Sequence, residues 1–159
     1  MFKVKLMGAV AALVTVAALA PAGLAAGSGA TVVTGSSHAT GFNLENRIFT
    51  FAGVQLPNGT VTGQANLVLA SAGRRPIHLH LRLTCMSLSG DQALLGGVVT
   101  GASDPGALGL TALVAVQDDP DLVSPLLIDD PETGPLDCTS LSAGDLLSGF
   151  AFPGNVTIQ

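Results

Sequence analysis

Residues 77–88, with the sequence IHLHLRLTCMSL, decide the fold of this 159-residue chain. Apolar residues at alternate positions from Ile77 to Cys85 are separated by polar ones from His78 to Thr84. Because successive side chains of a β-strand point to opposite faces, this alternation predicts a strand with one buried and one polar face. The strand carries one of the two cysteines and two of the three histidines, so it is the first candidate for the location of a functional site.

Outward from this stretch, the chain continues as short apolar segments separated by turn residues such as Pro57-Asn58-Gly59. This spacing predicts an all-β fold, a small antiparallel β-barrel of about seven or eight strands in a meander, with a β-sandwich as the alternative. The paired Gly96-Gly97 predicts a bend or bulge. No stretch shows a helical period with caps, so no helix is predicted. The predicted strands are 38–42, 47–56, 60–69, 77–88, 93–101, 110–117 and a last strand formed by 149–152 and 155–159, which pairs back to close the sheet.

Residues 1–26 have the order of a secretory signal peptide: Lys3 and Lys5, an uncharged apolar run over residues 6–20, and small residues up to Ala26. An apolar run of about 15 residues is shorter than the roughly 20 that span a bilayer. The sequence therefore predicts a secreted or cell-surface protein with no membrane span after cleavage. Residues 27–36 are expected to form a flexible tether, and residues 37–159 a single domain.

The charge of the mature chain is strongly acidic. Without the signal peptide, four arginines stand against eleven carboxylates, a net charge near −7. An acidic chain without a basic patch argues against nucleic acid as a partner. Eight of the carboxylates fall in residues 118–145 together with four prolines. Because proline removes a donor from the strand ladder, this segment is predicted to be a long acidic loop.

Several motifs occur in a fixed order: FTF at 49–51, NGTVTGQ at 58–64, HLRLTCMSL at 80–88, ALLGGVVTG at 93–101, VQD at 116–118 and DC at 137–138. In this order they resemble a group of small, functionally uncharacterised secreted bacterial proteins. That group has an F-x-F strand, a D-G-T-V-T-G-Q-like hairpin, H-x-x-x-x-C, an A-x-x-x-G-x-V strand and a later D-C. The resemblance implies export and the β fold, and it implies no activity.

Two cysteines in an exported chain indicate a disulfide between Cys85 and Cys138. The bond would fix the acidic loop to the central strand. A reactive thiol, the alternative, would require nearby cations that lower its pKa, whereas Cys138 has acidic neighbours in the sequence.

The spacing His78-x-His80 is compatible with metal binding. Histidines two apart on a strand share a face, and His38 on a neighbouring strand would complete a three-histidine zinc site. The alternative is two solvated residues on the outer face, in one row with Arg82. Calcium is a second possible cofactor, since carboxylates are its preferred ligands, although a solvated loop that favours solubility explains the same residues. The candidate calcium ligands are Asp118, Asp119, Asp121, Asp129, Asp130 and Glu132.

The sequence is compatible with two classes of function. The first is a non-enzymatic extracellular binding or cell-surface structural protein, in one version a carrier of a small apolar ligand at the barrel mouth, with the acidic loop as a lid. The second is a metal-dependent hydrolytic or hydratase enzyme that uses His78, His80 and His38. The sequence favours the first class.

Overall fold

A computed structural model describes residues 29–40, 46–71, 73–129 and 134–159 of the chain. Strands dominate these residues, and a single α-helix is added near the carboxyl terminus. The elements are β1 (Thr31–Thr40), β2 (Asn46–Gln55), β3 (Val61–Ala70), β4 (Ile77–Ser89), β5 (Gln92–Ala102), a 3-10 turn (Pro105–Ala107), β6 (Thr111–Asp118), β7 (Asp121–Val123), β8 (Leu127–Ile128), α1 (Ala143–Gly149) and β9 (Phe152–Ile158).

The sheet is a closed antiparallel barrel. Strands β1 to β7 pair in sequence order, β7 pairs with β9, and β9 pairs with β1 to close the ring of eight strands. Strand β8 is an additional short strand that pairs with the first half of β6. The predicted all-β fold and the small antiparallel barrel are therefore confirmed.

The barrel interior is filled by side chains. Alternate residues of each strand point inward, as the pleat requires, and form one apolar cluster. Its largest members are almost fully buried, with Phe49 at 0% and Leu81 at 1% exposure. Other inward residues include Val33, Phe51, Ala65, Leu67, Leu79, Leu83, Met86, Leu95, Val99, Val114 and Val116.

Strand β4 follows the predicted alternation only as far as Leu83. The register shifts between Leu83 and Cys85, so that Met86 becomes the next buried inward residue. Cys85 instead packs with a second apolar cluster, outside the barrel. The prediction that Cys85 continues the buried face of Leu79 and Leu83 was wrong, because a β-bulge adds one residue and reverses the side-chain direction.

The second cluster lies on the outer face of β5 and β6. Leu94, Leu113 and Ala115 are buried there against apolar residues of α1 and of residues 136–141. This layer explains why β5 and β6 are apolar on both faces.

Helix α1 was not predicted from the sequence. It begins after Ser142, whose Oγ accepts from the backbone N–H of Asp145, while the Asp145 carboxylate accepts from the backbone N–H of Ser142 at 3.2 Å. The hydroxyl of Ser142 also donates to this carboxylate at 2.7 Å. The side-chain and backbone hydrogen bonds from Ser142 lower the pKa of Asp145 below its usual value. The serine-to-aspartate capping box was the sequence signal for this helix.

Replacing Ser142 with alanine is expected to lower the free energy of unfolding by about 1 kcal/mol, because the first turn of α1 loses its cap. Denaturant titration of the purified protein measures this change. The matched control is Ser148→Ala, since the Ser148 hydroxyl bonds only within the helix, to the Asp145 carbonyl at 3.0 Å. Equal losses in the two variants would contradict the capping role of Ser142.

The amino-terminal predictions have mixed outcomes. The signal peptide, residues 1–26, lies outside the described residues. The predicted tether over 27–36 was wrong from Thr31 onward, because β1 begins there and pairs with both β2 and β9. Serine, threonine and glycine at these positions are accommodated by pairing on both edges. Within the described residues, no helix has the length and apolar character needed to cross a membrane.

The predicted acidic loop over 118–145 also needs correction. Its three-residue strand β7 is one of the eight that close the barrel, and α1 occupies its end. Pro120 and Pro125 do not interrupt β7, because they lie on either side of the strand.

Candidate functional site

His78 and His80 lie on the outer face of the barrel and are both exposed. The Nδ1 atom of His80 lies 2.9 Å from the Thr100 hydroxyl, and the backbone N–H of His78 donates to the Ser103 hydroxyl at 2.9 Å. His78, His80 and Ser103 line a shallow surface hollow of about 350 Å³, together with Asn66 of β3. The two histidines therefore share a face, as predicted.

His38 lies away from this pair. The register places His38 opposite Ile48, Ile48 opposite Val68, and Val68 opposite His78. His38 and His78 are thus three strand spacings apart, about 14 Å, which is too far for both to bind one ion. The structure does not bring the three histidines together. In the part of the chain that the structure describes, no group of three or more potential metal ligands forms.

Three of the candidate calcium ligands serve as hydrogen-bond acceptors within the sheet. The Asp118 and Asp121 carboxylates accept from the backbone N–H groups of Ile158 and Val156 at 3.0 and 3.2 Å. They satisfy donors of β9 beyond the end of β7. Asp129 accepts from the backbone and the hydroxyl of Thr111 at 3.1 and 2.8 Å. Asp130 and Glu132 lie outside the described residues.

The predicted disulfide between Cys85 and Cys138 is present, with a Cα–Cα distance of 5.9 Å. It joins the outward side of the β4 bulge to the segment before α1. The bond crosses over Gly96, where a Cβ atom would meet the sulfur of Cys85 and lie 3.0 Å from that of Cys138. The glycine leaves space for the sulfur bridge, while Gly97 lies against the Arg82 backbone.

Sequence reasoning assigned no binding role to the most unusual polar residue, Arg47 of β2. Its side chain points inward at one end of the barrel and is only 7% exposed. One guanidinium nitrogen, Nη2, donates to the Ser124 carbonyl at 2.9 Å. The Cζ atom lies 4.3 Å from the Phe152 ring centre and 5.9 Å from that of Phe49. The buried Nε atom has no hydrogen-bond partner.

A local irregularity of the sheet supplies the Ser124 carbonyl. Val116 of β6 pairs with Val123, and Leu113 of β6 pairs with Leu127. From the first pair to the second, the chain covers three residues along β6 and four along the opposite segment, so the opposite segment contains one extra residue. The extra residue allows the Ser124 hydroxyl to enter the ladder, where it accepts from the Ala115 N–H at 2.9 Å. Bulges commonly redirect groups in this way beside functional sites.

Ser37 is the other buried polar residue on the inward face of this end. It is 2% exposed, and its hydroxyl donates to the Pro153 carbonyl at 2.8 Å. Ser37 and Ser124 are therefore satisfied by their own hydrogen bonds, whereas Arg47 is not.

Burial dominates the electrostatics of Arg47. It lowers the pKa of the guanidinium below its ordinary value, to about 10, because water that would stabilise the cation is excluded. No carboxylate of the described residues pairs with it. Charged groups in protein interiors are normally paired, and a guanidinium presents a planar fork that matches a carboxylate or phosphate. Arg47 therefore retains an unused donor, its Nε–H, of the kind that pairs with an oxyanion.

The sequence contained a signal for Arg47. In NRIFTF, residues 46–51, Arg47 has the same parity as Phe49 and Phe51, which places a cation on the inward face.

No family model matches the chain, and neither the curated proteins nor the solved structures contain a significant match.

Proposed function

We propose that this chain is an exported, non-enzymatic binding protein that recognises an anionic group at the Arg47 end of its barrel. The observation that supports this proposal is the buried guanidinium, which has an unpartnered Nε and no carboxylate partner among the described residues. Export follows from the features of residues 1–26. The disulfide is consistent with an oxidising compartment.

The filled interior determines where a ligand is held. A carrier that encloses its ligand needs a cavity of several hundred cubic ångströms, whereas inward side chains such as Phe49 and Leu81 are packed together here. The ligand is therefore held at the end of the barrel, and the packed interior provides a rigid support for it. A structural role at the cell surface is compatible with the same rigid barrel.

The binding proposal is tested by thermal unfolding in sodium acetate and sodium chloride at equal ionic strength. Acetate at about ten times its dissociation constant should raise the unfolding midpoint by about 5 °C, because only the folded state presents the Arg47 site. Arg47→Met should abolish this difference between the salts. Arg82→Met, which removes an exposed arginine on the outer face of β4, should retain it.

General salt effects act on all three proteins alike and so cancel in this comparison. The proposal fails if acetate and chloride give equal midpoints for the unmodified protein. It also fails if the acetate effect persists in Arg47→Met.

A further inference from the structure

Arg47 belongs to the last inward-facing row at its end of the barrel. The strand register places Ala39 and Leu69 on either side of Arg47, and Ile77 beyond Leu69. Burial decreases along this row, from Arg47 at 7% exposure through half-buried Leu69 to Ile77 at 48%. An apolar wall therefore leads from the buried cation to the surface over two strand spacings, about 10 Å.

The same end of the barrel has an apolar rim. Seven large apolar side chains of the described residues are exposed, and five of them lie at or near this end. Leu56 and Leu88 lie towards the opposite end. Ile48 points to the outer face of β2, because it alternates with the inward-facing Arg47 and Phe49. The rim residues are Ile48, Ile77, Leu108, Leu127 and Phe150.

A surface hollow adjoins the outer end of the wall. It has a volume of about 420 Å³ and is lined by Ile77 and Pro76, with Arg75, Ser103 and Asp104. An apolar chain that follows Leu69 and Ile77 away from Arg47 would end in this hollow.

We propose that the ligand of Arg47 is the carboxylate of a small amphiphile, whose apolar tail lies along Leu69 and Ile77. This inference rests on the proposed function, and it adds the chemical class of the ligand. A neutral apolar molecule would leave the Arg47 cation unpaired, and an inorganic anion would leave the apolar wall exposed. A carboxylate with a tail satisfies both parts of the site.

Binding requires a side-chain displacement, since little of Arg47 is exposed. Half-buried Phe152 stacks on the guanidinium and can give the carboxylate access by rotating its ring. The carboxylate would then accept from Nε and the neighbouring amino group, the bidentate arrangement that a guanidinium favours.

Titration calorimetry with decanoate, decanol and acetate tests this inference, with decanoate kept below its micelle concentration. Decanoate should bind about tenfold or more tightly than either acetate or decanol, because it alone uses both the charge and the wall. Arg47→Met should reduce decanoate affinity by about tenfold or more, and Arg82→Met, at an exposed arginine outside the proposed site, by less than about twofold.

Ile77→Ser provides a second, independent variant. Because Ile77 is 48% exposed, its replacement should have little effect on the stability of the fold. It should weaken decanoate by about threefold or more and leave acetate unchanged, since it removes only tail contact. The matched control is Leu56→Ser, an exposed apolar residue at the opposite end, 41% exposed against 48% for Ile77.

Three outcomes would overturn the amphiphile inference. Decanol binding as tightly as decanoate would show that charge is not recognised. Equal affinities for decanoate and acetate would remove the tail from the proposal and leave the proposed anion-binding function intact. Unchanged decanoate affinity in Arg47→Met would place the ligand elsewhere on the molecule.

Discussion

Removing the disulfide by Cys85→Ala and Cys138→Ala together is expected to lower the free energy of unfolding by about 4 kcal/mol. The two cysteines are 53 residues apart, so the bond restricts a long loop in the unfolded chain. It also holds residues 136–141 and α1 against the outer face of β5 and β6. Urea titration of the oxidised protein and of the double variant measures the loss.

Gly96 provides an internal test of how the bridge is accommodated. A Cβ atom there would contact the Cys85 sulfur and lie 2.8 Å from Leu113 Cδ2, so Gly96→Ala should cost about 1–3 kcal/mol in the oxidised protein. In the cysteine-free background both sulfur atoms are gone, and the cost should fall by about 1 kcal/mol or more. Gly97→Ala is the matched control, because its Cβ would meet the Arg82 carbonyl and no sulfur.

The expected coupling is specific to Gly96. Gly97→Ala should cost the same in both backgrounds, since the backbone of Arg82 is present in each. An unchanged cost for Gly96→Ala after cysteine removal would mean that the glycine is required by Leu113 rather than by the sulfur bridge. A loss well below about 2 kcal/mol in the double variant would mean that native-state strain or unfolded-state structure offsets the loop constraint.

The fold could be predicted because strand periodicity and turn chemistry are local properties. The alternation from Leu79 to Leu83 and the Asn58-Gly59 turn each fix one element without reference to the rest. The prediction that Cys85 pairs with Cys138 needed only the cysteine count and the predicted export of the chain. These local signals were sufficient for a closed barrel.

Properties that depend on register could not be predicted in this way. The β4 bulge turns Cys85 outward, and the barrel places His38 three strands from His78. Both facts require the pairing of every intervening strand, which a sequence does not contain explicitly. The short strand β7 was missed because its prolines lie beside it rather than within it.

Arg47 is a different case, because its parity with Phe49 was visible in the sequence. Only the structure shows that this end of the barrel is covered, which makes the cation buried rather than solvated. A charged residue at an inward position conflicts locally with the apolar pattern around it, and such conflicts occur mainly at functional sites.

Replacing Arg47 with methionine is therefore expected to raise the free energy of unfolding by about 1–2 kcal/mol in ligand-free protein. In the unmodified protein, removing the Arg47 cation from water costs several kcal/mol. The hydrogen bond to the Ser124 carbonyl and the cation–π contacts with Phe152 and Phe49 together roughly offset this cost. Methionine fills a similar volume and adds its own apolar burial, about 1.5–3 kcal/mol. The Ser124 carbonyl loses its hydrogen bond in this variant, and this loss reduces the increase in the free energy of unfolding.

Urea titration of the Arg47→Met and Arg47→Lys variants, side by side, separates charge from packing. Lysine keeps the cation but loses the planar fork, so Arg47→Lys should be less stable than the unmodified protein. If Arg47 served stability alone, both variants would be less stable than the unmodified protein. The hydrogen bond to the Ser124 carbonyl would be lost in Arg47→Met and weakened in Arg47→Lys. A stabilised methionine variant that no longer responds to acetate would mean that the cation lowers stability and is needed for the ligand, the trade-off expected of a binding site.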